Sequence, residues 1–165
     1  MKRRLKIITA LILILIDQVT KFLSVVYLKG RSPLVLLKNF ICFNYSENTG
    51  ASFGMLSGKS SFLCIFNIVV LSILAYILFA GKIKSKITEF GLLLILAGGM
   101  GNIIDRVFRG YVVDFIEPLF INFAIFNFAD SLITIGSTLI LISLFYELAQ
   151  DSRKSEDAKK QADRY

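Results

Sequence analysis

Residues Ile7–Leu28 read IITALILILIDQVTKFLSVVYL, an apolar run that is interrupted by one acidic and one basic side chain, Asp17 and Lys21. The hydrocarbon core of a bilayer is about 30 Å thick, so a helix of about 20 apolar residues crosses it. The run has this length, follows a cluster of basic residues and continues to Leu28 without a small-residue cleavage motif. We therefore predict that it is an uncleaved first transmembrane helix.

Three further apolar segments have the length of a membrane span. Of the 165 residues, 55% are hydrophobic and 19% are charged, and the mean hydropathy is +0.68. A soluble domain is about half apolar and about a quarter charged, so this composition excludes a small soluble domain and a disordered chain. The three segments are Ser60–Ala80, Ile87–Val107 and Ala129–Leu148. The sequence predicts an all-α membrane protein with four transmembrane helices, forming a single integral membrane domain over residues 1–165.

The basic residues are distributed unequally between the two ends of these helices. With the N-terminus in the cytoplasm, 12 of the 19 Lys and Arg residues lie on the cytoplasmic side and 6 on the outer side. Such a bias is typical of membrane topology. It predicts that both termini are cytoplasmic, including the mixed-charge tail 151–165. It also explains the net charge of +7 without a nucleic-acid partner.

Two outward segments, 29–59 and 108–128, contain stretches that are too apolar for free solvent loops. Phe40–Tyr45 is aromatic and β-branched and is followed by Asn48–Gly50, a pattern that indicates a strand and a turn. Phe120–Phe126 has a similar composition and predicts another strand. We expect a small extracytoplasmic β-sheet that rests on the membrane surface.

Ionisable residues inside a span cost at least about 2.5 kcal/mol each and indicate a function by default. Asp17 and Lys21 are four residues apart, so they share a helix face and form a pair that a structural role alone would explain. In the third span, small and polar residues cover about a third of the helix circumference, which is typical of a packing face. They are Gly98, Gly101, Asn102 and Asp105. Asp105 beside Arg106 is expected to form an ion pair with it or to anchor the helix end in the headgroups.

Three carboxylates converge on the outer boundary of the membrane. Asp105 ends the third span, Asp130 opens the fourth, where a helix cap would also explain it, and Asp114 lies in the apolar stretch Val112–Ile116. The chain has no His and no Cys near these acids. We expect no metal and no cofactor. A pair of carboxylates that share a proton is the natural reactive unit, because one activates water while the other donates a proton, as in aspartyl proteases.

Five short motifs extend from the first span to the fourth. They are Asp17-Gln-Val-Thr-Lys21, Asn48-Thr-Gly-Ala51, Gly98-Gly-Met-Gly-Asn-Ile-Ile-Asp-Arg106, Val112-Val-Asp-Phe115 and Phe126-Asn-Phe-Ala-Asp130. In order and spacing this set resembles the lipoprotein signal peptidases, also called signal peptidase II. The small chain and the four expected spans agree with that family.

The resemblance implies a membrane-embedded aspartyl endopeptidase of the bacterial cytoplasmic (inner) membrane, with its active site near the outer leaflet. It would cleave diacylglyceryl-modified prolipoproteins, held in the membrane lipid, just before the lipid-bearing cysteine. Asp114 and Asp130 would be the catalytic pair, with Asp105 in a supporting role. The motif positions that would line the site or hold substrate are Asn48, Gly98, Asn102, Arg106, Asn127 and Ala129, with Asp17 and Lys21 as the paired first-span positions. We expect a monomer.

Other functions are open to these residues. A small polytopic transporter or proton relay would use Asp17, Lys21 and the outer acids, but it predicts acids at all depths, whereas these cluster at one boundary. A subunit that binds partner helices through Gly98 and Gly101 would leave Asp114 unexplained. An intramembrane protease of the Gly-x-Gly-Asp type requires an acid at the position where this chain has an asparagine.

Overall fold

The structure is a computed structural model that describes residues 2–50, 60–81 and 83–162. This part of the chain forms four helices and three strands. They are α1 (Arg3–Leu28), β1 (Leu34–Leu37), β2 (Ile41–Asn48), α2 (Ser60–Phe79), α3 (Lys86–Arg109), β3 (Val112–Pro118) and α4 (Phe128–Ala162). Of the motif residues named above, Ala51 lies outside the described residues.

Each of the four helices contains a stretch that is long and apolar enough to cross a membrane. The stretches are Arg3–Leu28, Ser60–Phe79, Lys86–Arg109 and Phe128–Lys154. Large apolar side chains remain uncovered by protein on α1, α2 and α4, such as Leu15, Ile65 and Phe145, which are 63%, 64% and 69% exposed. A soluble protein does not tolerate so much apolar surface, whereas lipid covers it. The expected all-α membrane fold with four helices and a small sheet is confirmed.

Helix α3 lies at the centre of the bundle and packs against α1, α2 and α4. Of its membrane-spanning window 56% is buried, compared with at most 22% for each of the other helices. Its ends follow ordinary capping rules. The Ser85 hydroxyl accepts a hydrogen bond from the Thr88 N–H, and Gly110 ends the helix at a φ of 82°, which residues with a side chain rarely adopt.

The contact between α3 and α4 depends on two glycines that face each other. A Cβ at Gly91 would lie 2.7 Å from the carbonyl oxygen of Gly136, and a Cβ at Gly136 would lie 2.5 Å from that of Gly91. Small residues at such a crossing allow two membrane helices to approach closely. Between this crossing and the start of α4, Leu94, Ala97 and Leu132 form a buried apolar cluster.

The three strands form an antiparallel sheet in the order β1-β2-β3. Ser46 pairs with Asp114 and Asn48 pairs with Val112. Because alternate residues of a strand share a face, this register places Asn48 and Asp114 on the same face of the sheet as diagonal neighbours. The turn expected after β2 begins as an Asx turn, in which the Gly50 N–H donates to Asn48 Oδ1 at 2.9 Å.

The strand predicted at Phe120–Phe126 is wrong. The strand of this segment is Val112–Pro118, and Phe126 forms only an isolated bridge with Ile116. The aromatic residues pack against other side chains and do not extend the hydrogen-bonded ladder of the sheet. Phe120, for example, stacks on Phe40 with ring centroids 4.8 Å apart. Their apolar composition therefore reflects packing of side chains, which a strand pattern does not distinguish from pairing.

We expect Gly136→Ala to destabilise the protein by about 1–3 kcal/mol, because the added methyl group meets backbone that cannot move unless α3 and α4 separate. Thermal unfolding in detergent would show a melting temperature several degrees lower. Thr138→Leu, which adds bulk at an exposed position of the same helix, is the control and should leave the melting temperature nearly unchanged. Equal melting temperatures for the two variants would contradict the close glycine contact.

Candidate active site

A cavity of about 690 Å³ lies where strands β2 and β3 meet the end of α3 and the start of α4. Residues of α2, α3, α4 and of strands β2 and β3 line it. Its polar lining includes five of the residues that the sequence singled out, namely Asn48, Asn102, Arg106, Asp114 and Asp130. Residues as far apart in the chain as Asn48 and Asp130 thus share one cavity, which makes it the candidate active site.

Asp114 is held in the cavity by two side-chain amides. It is only 2% exposed, and its Oδ1 accepts from Asn127 Nδ2 at 2.6 Å while its Oδ2 accepts from Asn48 Nδ2 at 2.9 Å. Burial, and next to it the charge of Asp130, raises the pKa of Asp114 to about 6. The two amide donors oppose this change but do not cancel it. This carboxyl group therefore keeps its proton to a pH about two units above that of an exposed aspartate.

Asp130 lies in the first turn of α4 and takes part in a reciprocal cap. The Asp130 N–H donates to Asn127 Oδ1 at 2.9 Å, and the Asn127 N–H donates to Asp130 Oδ2 at 3.2 Å. This pattern is a capping box, so the capping role considered for Asp130 is met by the pair. The other carboxylate oxygen, Oδ1, accepts from Asn102 Nδ2 at 2.8 Å. The cap therefore fixes the carboxylate without withdrawing it from the cavity.

Two buried asparagines connect the carboxylates of Asp114 and Asp130. The Asn127 amide donates to Asp114 and also to Asn102 Oδ1, at 3.2 Å in the second case. Asn102 in turn donates to Asp130. The two acids therefore belong to one hydrogen-bonded frame, and a shift of either asparagine would move both acids.

Beneath this frame, Lys21 lies at the centre of a fully buried charge cluster. Its Nζ is 2.9 Å from Asp17 Oδ2 and 3.2 Å from Asp105 Oδ2, and it donates to Asn102 Oδ1 at 2.8 Å. Because the Asn102 oxygen faces the Lys21 ammonium, its NH₂ group must point the other way, towards Asp130. Lys21 thus orients Asn102, a connection that the sequence did not predict.

Asp17 secures the start of α4. Its Oδ1 accepts from the Ala129 N–H at 3.0 Å, and Ala129 is fully buried. A Cβ at Gly101 would overlap with the Asp17 carboxylate, and a Cβ at Gly98 would overlap with the Ala129 carbonyl oxygen. Because these three residues have no side chain or only a methyl group, α1, α3 and α4 can approach closely next to Asp130.

The expected ion pair between Asp105 and Arg106 is wrong. Asp105 contacts Lys21 and, at 3.4 Å, Arg109, and its Oδ2 accepts from the Val113 N–H at 3.1 Å. Neighbours in a helix point about 100° apart, whereas residues four apart share a face. Arg106 instead donates to the Gly50 carbonyl at 3.0 Å and lines the cavity.

Several cavity residues went unnoticed in the sequence. They include Asn67 of α2 and Ser131 and Thr134 of α4. Asn67 is the only amide side chain within Ser60–Phe79, a segment that contains no Asp, Glu, Lys or Arg, and an amide inside so apolar a span is a signal that sequence alone offers. Ser131 and Thr134 could be recognised only from their position one helical turn or less from Asp130.

We expect Lys21→Met to destabilise the protein by about 3–5 kcal/mol, because it leaves the buried Asp17 carboxylate without its counter-charge and leaves Asp105 with Arg109, at 3.4 Å, as its remaining one. Thermal unfolding in detergent measures the loss. Adding Asp17→Asn should restore part of the stability, since it removes the stranded charge. Lys29→Met is the matched control, because Lys29 pairs with Glu47 in an exposed position. Similar melting temperatures for the Lys21 and Lys29 variants would rule out the buried cluster.

Comparison with known proteins identifies relatives over most of the chain. The family model described as "Signal peptidase (SPase) II" matches residues 9–146. A lipoprotein signal peptidase of Clostridium tetani is 37% identical over 153 residues, which cover 91% of this chain and 98% of the relative. One of Streptococcus pyogenes serotype M1 is 35% identical, with 89% of this chain and 97% of the relative covered.

Solved structures share the fold as well. A bacterial membrane enzyme determined by the in meso method at 2.3 Å resolution is 35% identical, with a TM-score of 0.83 over 90% of this chain and 92% of that chain. Another, at 1.9 Å resolution, is 36% identical, with a TM-score of 0.77 over 86% of this chain and 93% of that chain. The family match covers well over half of the sequence, and its expected fold is the observed one. The chain therefore belongs to the signal peptidase II family and is a membrane peptidase.

Proposed function

We propose that Asp114 and Asp130 are the catalytic dyad with which this peptidase removes signal peptides from diacylglyceryl-modified prolipoproteins, cleaving just before the lipid-bearing cysteine. One observation supports this role above others. The two carboxylates face one cavity and are joined through Asn127 and Asn102 into a single hydrogen-bonded frame. Such an arrangement fits acid–base chemistry on a peptide bond, in which the two acids and a water molecule react without a metal or a cofactor.

In this mechanism the two carboxyl groups share one proton. The ionised carboxylate takes a proton from a water molecule, which attacks the scissile carbonyl carbon, and the protonated one donates to the carbonyl oxygen. The carboxyl group that took its proton from water then gives that proton to the leaving amine as the carbon–nitrogen bond breaks. The other carboxylate takes a proton back from a hydroxyl group of the intermediate, so the carbonyl re-forms and the pair again shares one proton. The two carboxyl groups titrate as a coupled pair, so the role of base is assigned to the pair and not to one of the two residues.

Arg106 supports the charge that develops during attack. Its guanidinium lines the cavity, and its Nε has no hydrogen-bond partner among the described residues. Because Arg106 is partly buried, its fixed positive charge stabilises a carbonyl oxygen that becomes negative more strongly than it would in bulk water. Asn48, Asn102 and Asn127 hold the acids, and Gly98 and Ala129 provide the close packing beneath them.

The position of the site suits a substrate that is anchored in lipid. The acyl chains and the signal helix of a prolipoprotein stay in the bilayer, so its scissile bond lies near the headgroups. Asp130 opens one membrane helix and Asp114 follows another, which corresponds to the same depth. The Lys and Arg bias supports a cytoplasmic position of both termini. The active site then lies near the outer leaflet of the bacterial cytoplasmic membrane. We propose that the enzyme acts as a monomer.

We expect Asp114→Asn and Asp130→Asn each to reduce cleavage of a diacylglyceryl-modified prolipoprotein by at least about a thousandfold, since an amide cannot exchange the proton. A gel-shift cleavage assay in detergent measures this. Glu117→Gln is the matched control, because it removes a carboxylate from the same strand but outside the cavity, and it should stay active.

Three outcomes of this assay would overturn the assignment or a part of it. Near-wild-type turnover by a folded Asp114→Asn or Asp130→Asn variant would make that acid structural. Equal cleavage of a substrate without the diacylglyceryl group would contradict the proposed substrate class. A wild-type enzyme that cleaves no prolipoprotein would remove the proposed function as a whole.

The rate should also depend on pH in a defined direction. Since the pKa of Asp114 is about 6, the dyad loses its shared proton as the pH rises through this value. We expect kcat/KM to fall above about pH 6 and to approach a tenfold loss per pH unit. A profile measured between about pH 5 and 9, with the melting temperature followed in parallel, checks this. A kcat/KM that stays constant over that range in a folded enzyme would contradict the shared proton.

A further inference from the structure

The cavity continues from the dyad into the membrane, between α2 and α4. Leu63, Phe66 and Asn67 line it on the α2 side, three and four residues apart and hence on one helix face. Ile133 and Thr134 line it on the α4 side. Thr134 is one turn past Asp130 and therefore lies about 6 Å further along α4. Asn67 is seven residues past Ser60, the first residue of α2, and therefore lies about 10 Å along that helix. This deeper part is apolar except for a few polar groups.

Asn67 is an unusual residue for this position. It is the one amide of α2, whose membrane-spanning window has a mean hydropathy of 2.7, the highest of the four helices. Asparagine in membrane helices ordinarily forms a hydrogen bond to a neighbouring helix. Within the described residues the Asn67 side chain has no such bond, although α2 packs against α3. Asn67 lines the cavity instead, and an amide without a partner there is costly unless something polar enters the cavity.

The proposed reaction brings a polar group to this depth. In a helix the carbonyl of each residue is bonded to the N–H four residues later, so water cannot attack it freely. The residues just before the scissile bond must therefore leave the helical conformation of the signal peptide. Their N–H and C=O groups then lack partners inside the bilayer, where each unpaired group costs several kcal/mol. A side-chain amide provides both a donor and an acceptor for them.

We propose that Asn67 is a substrate-binding residue whose amide binds the unwound backbone of the signal peptide immediately before the scissile bond. This inference rests on the proposed function, because the dyad fixes where the scissile bond lies. The substrate chain enters the bilayer from the dyad, and the face of α2 that contains Asn67 borders the same cavity. Thr134, on the opposite wall, offers a hydroxyl to the same segment.

Asn67→Leu tests the proposal, because leucine keeps the approximate size and removes both polar atoms. We expect kcat/KM for a diacylglyceryl-modified prolipoprotein to fall about tenfold, as for the loss of one hydrogen bond. The loss should appear in kcat, since the bond forms only after the backbone has unwound. Asn67→Gln should retain most of the rate. Ser72→Ala is the control, because Ser72 is exposed on the same helix and its hydroxyl is bonded to the Ile68 carbonyl.

A backbone-modified substrate makes the test specific. In a set of synthetic prolipoproteins, one amide N–H at a time is replaced by an ester oxygen in the residues before the scissile bond. With wild-type enzyme, the substrate with an ester at one of these positions should be cleaved with a kcat about tenfold below that of the unmodified substrate. With Asn67→Leu the same ester should cause little further loss, because the partner is already absent. Ester losses that are the same for both enzymes at every position would overturn the proposal.

Structural roles of Asn67 have different signatures. A fall in melting temperature that accounts for the lost activity, or a dimer in the wild type that Asn67→Leu dissociates, would mean that the amide bonds protein rather than substrate. Wild-type kcat in Asn67→Leu, together with inactive Asp114→Asn and Asp130→Asn variants, would refute this inference and leave the proposed function intact. A wild-type enzyme without cleavage would refute the proposed function itself.

Discussion

The ion pairs of the buried Lys21 ammonium group are the interactions on which the half of the bundle next to the sheet depends. The ammonium group contacts the carboxylates of Asp17 and Asp105, and all three side chains are fully buried. In a poorly hydrated interior, an isolated charge costs far more than a compensated one, so no member can be removed alone. Because α1 provides two of the charges and α3 the third, their neutralisation determines how these helices pack at this level.

Each member of the cluster also fixes a part of the chain beside one of the two acids. Lys21 orients the Asn102 amide that donates to Asp130, and Asp17 accepts from the backbone at the start of α4. Asp105 accepts from the Val113 N–H, next to Asp114. The charge cluster therefore supports the surroundings of both acids of the proposed dyad. Such support holds the two carboxyl groups at one cavity, although they come from a strand and a helix.

The fold could be predicted from the sequence wherever the information is local. Four apolar runs of membrane-spanning length identified the helices, because burial in lipid requires only composition and length. A strand at Phe120–Phe126 and an ion pair between Asp105 and Arg106 were also expected, and both were wrong. In each case the pattern was compatible with a local structure, but a more distant partner was preferred: β3 pairs with β2, and Asp105 pairs with Lys21.

For the site, the sequence by itself determined which residues are present: acids and asparagines at the membrane boundary, in motifs of a known family, and no histidine. Only the tertiary structure decided their relations, including the frame that joins Asp114 to Asp130 and the cavity that exposes Asn67. The physical reason is that hydropathy and helical periodicity are properties of neighbours in the chain. The hydrogen bond between Lys21 and Asn102, 81 residues apart, and the charge compensation between Lys21 and Asp105 exist only once the helices have packed.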